Sequence, residues 1–288
     1  MAYISYTGVP LYFGTQANNT ASNYTLPTES DGGNKGVICQ QLQLNYTPNI
    51  APAKVLGKRP TKDNFNLAGP PNSSFSFTAY VDPLEFKITD FTGDIGNSGA
   101  TFRIGDSVNG ISGSGAFLTS YSFSLAAYQP VLIQADFVIY NPLTLTNHGG
   151  SIASVGSNDV VDDLDFSKYG HGAYSTVQTG NLNDLETIET VQYQYSIGRL
   201  PVYTVGNFVP STVEVINEQQ TLQIQGDNIA SLVPLTGHNP GPITGTIKNP
   251  EGSAIFSVEV DGRITAENIS VQAGDLARGS MTITQILK

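Results

Sequence analysis

The chain has little cysteine, no tryptophan and little charge. Among its 288 residues there are one cysteine, Cys39, two methionines and no tryptophan. A lone cysteine excludes an internal disulfide. No histidine lies near it in sequence to act as the base a nucleophilic thiol needs. The run Val37-Ile38-Cys39 therefore reads as a small buried hydrophobe opening a strand. Charged residues make up 13% of the chain, about half the usual share. The balance is acidic, 13 Lys and Arg against 24 Asp and Glu, for a net charge of −11. The closest approach to a basic cluster is Lys54, Lys58 and Arg59, which excludes ordinary binding to a nucleic-acid backbone. No apolar run approaches the ~18–20 residues of a membrane-spanning helix. The start Met1-Ala2-Tyr3-Ile4 lacks the basic and apolar regions of a secretory signal. The expectation is a soluble protein made in a cytoplasm and not partnered with a membrane. In that compartment the sequons Asn23-Tyr24-Thr25 and Asn268-Ile269-Ser270 have no meaning.

Reactive groupings are equally sparse. His148, His171 and His238 lie in Gly- or Asn-rich loops without metal-ligand spacing. Asp159, Asp162, Asp163 and Asp165 lack the alternating spacing of a calcium loop and read as a solvated acidic helix face. Gly110-Ile111-Ser112-Gly113-Ser114-Gly115 has the outline of a serine elbow, but glycines crowd it as in a turn. No acid–base or nucleophilic constellation can be assembled. The expectation is a protein that is not an enzyme, with no catalytic, cofactor-binding or metal-binding residues and no cofactor.

What the chain does have is Ser, Thr, Asn, Gln and Gly in place of charge. Such surfaces suit large permanent contacts, because burying neutral amides and hydroxyls costs less than burying charges. It also has strand patterns of period two. Leu42, Leu44 and Tyr46 alternate with polar residues, as do Phe75 with Phe77 and Tyr121 with Phe123 and Leu125. Thr101 to Ile104 is a shorter strand, and Val131 to Tyr140 a longer one buried on both sides at its start. Val191 to Tyr195, Val213 to Ile216, Thr221 to Gln225, Ala254 to Val260 and Met281 to Leu287 follow. Pro48, Pro52, Pro60, Pro70 and Pro71 keep the first strands short. Gly96, Gly99, Gly110, Gly113 and Gly115 mark turns, and Asp261-Gly262 signals a hairpin. Residues 1 to about 36 read as an extended arm or long loop. One helix is expected from a cap at Ser157 or Asn158 to about Lys168 and a second short one from Asn183.

The order of these strands occurs twice. Leu42-Gln43-Leu44-Asn45-Tyr46 is echoed by Val191-Gln192-Tyr193-Gln194-Tyr195, and Leu56-Gly57 by Val205-Gly206, both at an offset of 149 residues (191 − 42 and 205 − 56). Phe75 and Phe77 find Leu222 and Ile224 at 147. Phe123-Ser124-Leu125 finds Ile269-Ser270-Val271, and Phe137 finds Ile283, at 146. Internal repetition governs the fold. It predicts an all-β chain with one or two short helices, in two tandem domains: residues 1–148 with the N-terminal arm, and 149–288 with the linking loop and helix.

The run Val37 to Tyr46, the proline-rich turn, Leu56-Gly57 and the strand at Phe75 and Phe77 together resemble the opening of bacteriophage tail tube proteins. The resemblance covers most of residues 33 to 140 and, more faintly, 183 to 288. It implies small β-sandwich or barrel domains that associate into six-fold rings around a channel and stack into a tube. The same architecture occurs in baseplate hub proteins and type VI secretion tubes. The implied function is a structural tail tube subunit of the virion, with itself as principal partner, in trimeric or hexameric rings. Tail sheath, baseplate and neck proteins are further partners, and genomic DNA passes through without specific binding. The duplication leaves two ring arrangements open, three chains giving six pseudo-equivalent domains or six chains giving a double-height element. It also leaves open a hub, tail-tip or neck adaptor. A two-domain glycan-binding adhesin is a more remote alternative, with Tyr169 and Tyr174 as its aromatic candidates. If the acidic balance faces the lumen, it repels phosphate.

Overall fold

The computed structural model describes residues 11–15, 34–37, 39–52, 65–67, 72–81, 88–92, 99–105, 109–147, 167–178, 187–227, 239–270 and 278–288. These residues form an all-β protein. Its strands are β1 (Leu11–Thr15), β2 (Asn34–Val37), β3 (Cys39–Thr47), β4 (Ile50–Pro52), β5 (Phe65–Leu67), β6 (Asn72–Tyr80), β7 (Ala100–Gly105), β8 (Asn109–Ala126) and β9 (Leu132–Ile139). After them come β10 (Thr144–Asn147), β11 (Thr176–Gln178), β12 (Thr187–Val202), β13 (Thr212–Asp227), β14 (Ile243–Lys248), β15 (Ala254–Val260), β16 (Arg263–Ser270) and β17 (Arg278–Ile286). Among the described residues the only helical piece is a 3-10 turn at Ile88–Phe91. The helices expected from Asn158 and Asn183 lie mainly outside the described residues; within them, Ser167 to Tyr169 is a turn.

Twelve strands make one large sheet and β11-β14-β15 a small one; all pairings are antiparallel. Across the large sheet runs the order β3-β6-β9-β8-β12-β13-β17-β16. The first half of β8 also pairs with β10 on one edge and β7 on the other, and β7 continues to β1 and β2. Leu11 and Val37 are buried, so these two pieces of the N-terminal stretch belong to the chain's own core. The expectation of an extended arm or long loop is corrected at 11–15 and 34–36, which are strand; the rest of residues 1–36 lies outside the described residues.

Period-two patterning decides which face is buried. Phe75, Phe77, Ile133, Phe137, Tyr121, Phe123, Val191, Tyr193, Leu222, Ile224, Met281 and Ile283 all point to one side of the large sheet and are almost wholly buried. Ile243, Ile247, Val258 and Val260 of the small sheet join the same core, as do Ile88 and Phe91. One cluster of buried side chains thus runs through both halves of the chain. Phe75 and Phe137 stack at 4.8 Å with 4° between ring planes, and Phe91 meets Phe137 edge-on at 5.9 Å.

The ladders repeat residue by residue. Leu42 pairs with Phe77 and Val191 with Ile224. Phe75 pairs with Phe137 and Leu222 with Ile283. Leu118 pairs with Phe137 and Ile264 with Ile283. The irregularities recur as well. The register shift between Cys39 and Gln41 has its counterpart between Ile188 and Thr190, and that between Leu118 and Ser120 between Ile264 and Ala266. The order β3-β6-β9-β8 is therefore followed by β12-β13-β17-β16 with equivalent registers, joined where β8 pairs with β12.

Several local expectations are corrected. Gly110, Gly113 and Gly115 lie inside β8, not in turns. A Cβ on Gly113 would stand 2.7 Å from the Phe102 ring, and Gly115 has φ near +69° with Asn141 2.6 Å from its Cβ position. The glycines let neighbouring side chains lie on the backbone and let the strand kink. Val131 to Tyr140 alternates regularly from Ile133 onwards rather than being buried on both sides: Ile133, Ala135, Phe137 and Ile139 face the core and the residues between them are at least partly exposed. Val213 to Ile216 and Thr221 to Gln225 are parts of the single strand β13. Asp261-Gly262 makes no hairpin: β15 leaves for the small sheet while β16 stays in the large one. A Cβ on Gly262 would meet the Thr284 carbonyl oxygen at 2.4 Å, so this glycine permits a close crossing at a corner.

Candidate functional site: a neutral sheet face and two edges

Over its middle, the face of the large sheet opposite the core is lined mainly by short hydroxyl and amide side chains, while Phe117, Tyr140 and Arg199 pack together at one end of it. Starting from β3, one row runs Gln43, Ser76, Asp136, Ser120, Ser196, Gln219 and Ile286, with Asn45, Ser74 and Val138 in the row beside it. In the second half, Gln192, Gln223 and Thr282 form one row and Gln194, Thr221 and Thr284 the next. Among the described side chains of the rows where the eight strands run side by side, the charged ones are Asp136, Arg263 and, at the strand ends, the pair Glu189 and Arg278. The two members of that pair lie 3.9 Å apart. Asp136 accepts a hydrogen bond from the Ser120 hydroxyl at 2.8 Å. Two acidic and two basic groups balance in these rows, so this part of the face is close to neutral.

At the β8–β12 junction the core side carries closely packed aromatics. Phe123 lies 5.0 Å from Tyr193, and Tyr121 5.1 Å from Tyr195. The Tyr121 hydroxyl donates to that of Tyr193 at 3.3 Å, and the Tyr195 hydroxyl donates to Glu218 Oε1. Burial pushes the Tyr121 phenol up to about 12 and raises that of Tyr193 further. These hydroxyls stay protonated and hold the seam as neutral groups.

The two ends of the eight-strand order are β3 and β16. Among the described strands β3 pairs only with β6 and β16 only with β17. Monomeric sheets protect their edges with charge or proline; β3 has neither. Tyr46 and Ile269 are about half exposed, whereas their counterparts at the internal seam, Tyr195 and Phe123, are buried.

The residues singled out by reactive type do not converge. His148, His238 and Asp159, Asp162, Asp163 and Asp165 lie outside the described residues, as do Lys54, Lys58 and Arg59. His171 sits in a turn, where its Nδ1 accepts from the Ala173 N–H at 3.2 Å and its backbone N–H donates to the Lys248 carbonyl at 2.9 Å. Ser112 is mid-strand in β8, between Arg103 and Thr144, rather than at a strand-to-helix elbow. Cys39 is half-buried, and desolvation pushes its thiol up to about 12, far from a reactive thiolate. Tyr169 is buried against Tyr80, with ring centroids 5.4 Å apart, which removes it as an exposed sugar platform. Tyr174 is exposed, edge-on to His171 at 5.6 Å. Thr119 and Thr265, at the two equivalent register shifts, were missed by sequence reasoning. They share the 146-residue offset of Phe137 and Ile283, which is the signal that finds them. No family model matches the chain, and no curated protein matches it.

Proposed function

We propose that the chain is a structural, self-assembling subunit of a bacteriophage tail tube, forming stacked rings around a channel for DNA. The observation that carries this reading is the recurrence of β3-β6-β9-β8 as β12-β13-β17-β16 with equivalent residue pairs. It supports two tandem tube-like units in one chain, with a boundary between β10 and β12 near residues 148 and 149. The units are joined edge to edge through β8 and β12. Side-by-side units belong to one ring, whereas a double-height element would need them one above the other. This favours three chains per six-unit ring over six chains.

In this reading the Ser, Thr, Gln and Asn face lines the channel. A passing duplex needs a surface that does not hold it. Phosphate binding depends on neutralising cations, and this face carries few. Its hydroxyls and amides remain hydrated. DNA then slides past a neutral polar wall without specific binding. The virion tail is the proposed location, with sheath, baseplate and neck proteins as outer partners, and no catalysis is required.

Negative-stain electron microscopy of the purified protein over a concentration series tests the proposal. Hollow rings or tubes support it. Persistent single chains at high concentration oppose self-assembly and favour an adaptor that needs a different ring partner, such as a hub, tail-tip or neck protein.

A further inference from the structure

The seam inside the chain specifies a second seam between chains. At the internal one, Tyr193 pairs with Phe123, Gln194 with Ser122 and Tyr195 with Tyr121. Moving each residue by its repeat offset places the same pairs on the two outer strands of the eight-strand order. Tyr193 becomes Leu44 and Phe123 becomes Ile269; Gln194 becomes Asn45 and Ser122 becomes Asn268. We infer that β16 of one copy pairs antiparallel with β3 of the next, in the register Leu44 opposite Ile269 and Asn45 opposite Asn268. The partner is a second copy of this chain, bound head to tail. The inference rests on the ring reading above and gives it a residue-level interface.

Three features carry it. Each side chain of the internal pair Phe123 and Tyr193 is buried, while its counterpart at the outer edge is only partly so: Ile269 is 53% exposed and Leu44 half-buried. The two edges differ from each other as the two sides of the internal seam differ, one strand from the start of a unit and one from its end. Such an interface is heterologous and extends until it closes into a ring. Finally, β3 lacks the charge and proline that would keep a neighbour off an edge strand, and uncharged Gln and Asn flank its apolar positions, as at β12. With two units per chain, six units close after three copies.

The test is paired cysteines in a Cys39→Ser background, assayed in the full chain under mild oxidation. Asn45→Cys with Asn268→Cys, and Leu44→Cys with Ile269→Cys, are in register; Asn45→Cys with Ser270→Cys is two residues out. In-register pairs are expected to give covalent dimers and then a limiting trimer on non-reducing gels. The out-of-register pair is expected to give at least ten-fold less. As a check that does not depend on disulfide geometry, Asn45→Lys with Asn268→Lys, both exposed, should lower assembly at fixed concentration at least ten-fold. Asn45→Lys with Asn268→Glu should restore it. Rings that form without in-register cross-links, or that ignore the charge pairs, overturn this interface while leaving the ring reading in place. Wild-type chains that never associate overturn the ring reading itself.

Discussion

Thr119 and Thr265 occupy equivalent kinks and make the same hydrogen bond. Thr119 Oγ1 donates to the Asp136 carbonyl at 3.0 Å, and Thr265 Oγ1 donates to the Thr282 carbonyl at 3.3 Å. Both residues sit where the ladder skips a residue, between β8 and β9 in one case and β16 and β17 in the other. A bulge leaves one partner group unmatched, and a hydroxyl on a β-branched residue satisfies it from within the strand. Thr119→Val is expected to cost about 1 kcal/mol, the usual net value of such a bond. Thr265→Val, at a more exposed site, should cost less. Urea unfolding of both variants measures this, and an unchanged midpoint for Thr119→Val would remove the kink's proposed role.

The stacked pair Phe75 and Phe137 anchors the first half of the core, where Leu222 and Ile283 stand in the second. Phe75→Ala should destabilise by about 3–5 kcal/mol and Leu222→Ala by about 2–5 kcal/mol, from lost burial and the cavity left behind. Denaturant midpoints of the two variants check this. A loss below about 1 kcal/mol at either position would contradict the stated packing.

Gly262 tests the corner between the two sheets. A methyl group there would stand 2.4 Å from the Thr284 backbone oxygen, which no side-chain rotation relieves. Gly262→Ala is expected to cost about 1–3 kcal/mol through forced backbone movement. A control within strand β14 is Gly245→Ala, whose new methyl would make ordinary contact with Val258 at 3.5 Å. Equal melting temperatures for the two variants would show that the corner is not tight.

Stability should fall in alkali. Burial raises the Cys39 thiol and the Tyr121 phenol to about 12 and raises Tyr193 as well. In the unfolded chain these groups lose their protons near their ordinary values, about 8.5 for cysteine and about 10 for tyrosine. Between those values and about 12 the folded form holds more protons than the unfolded form, so stability declines as pH rises. Below about 8.5 these groups contribute no slope. Thermal melts at pH 8, 10 and 11.5 measure the decline. Tyr121→Phe with Tyr193→Phe, which removes both hydroxyls of one bond, should flatten its upper part.

The strands themselves were legible because each half-buried strand alternates in period two, and the repeat was legible because buried positions tolerate only apolar residues. Leu42, Phe75 and Phe137 found Val191, Leu222 and Ile283 although no residue in those pairs is identical. Less legible was where a strand goes after a glycine. Gly113 and Gly115 sit within a continuous strand while Gly262 marks a crossing between sheets; local composition is similar and tertiary contacts decide. The short N-terminal strands β1 and β2 were hidden because they lie within a stretch dominated by Asn, Thr, Gly and Ser, whose composition reads as loop. The neutral sheet face was hidden in another way. Net charge was read as a property of the whole surface, and only the registers show that Gln, Ser and Thr gather on one side of the sheet.

The most direct test of the account is the number of chains in one ring, counted by native mass spectrometry and by the rotational symmetry of electron-microscope class averages. Three chains per ring, with six similar lobes around a hollow centre, is the predicted result. Six chains per ring, or a closed particle without a channel, would contradict it.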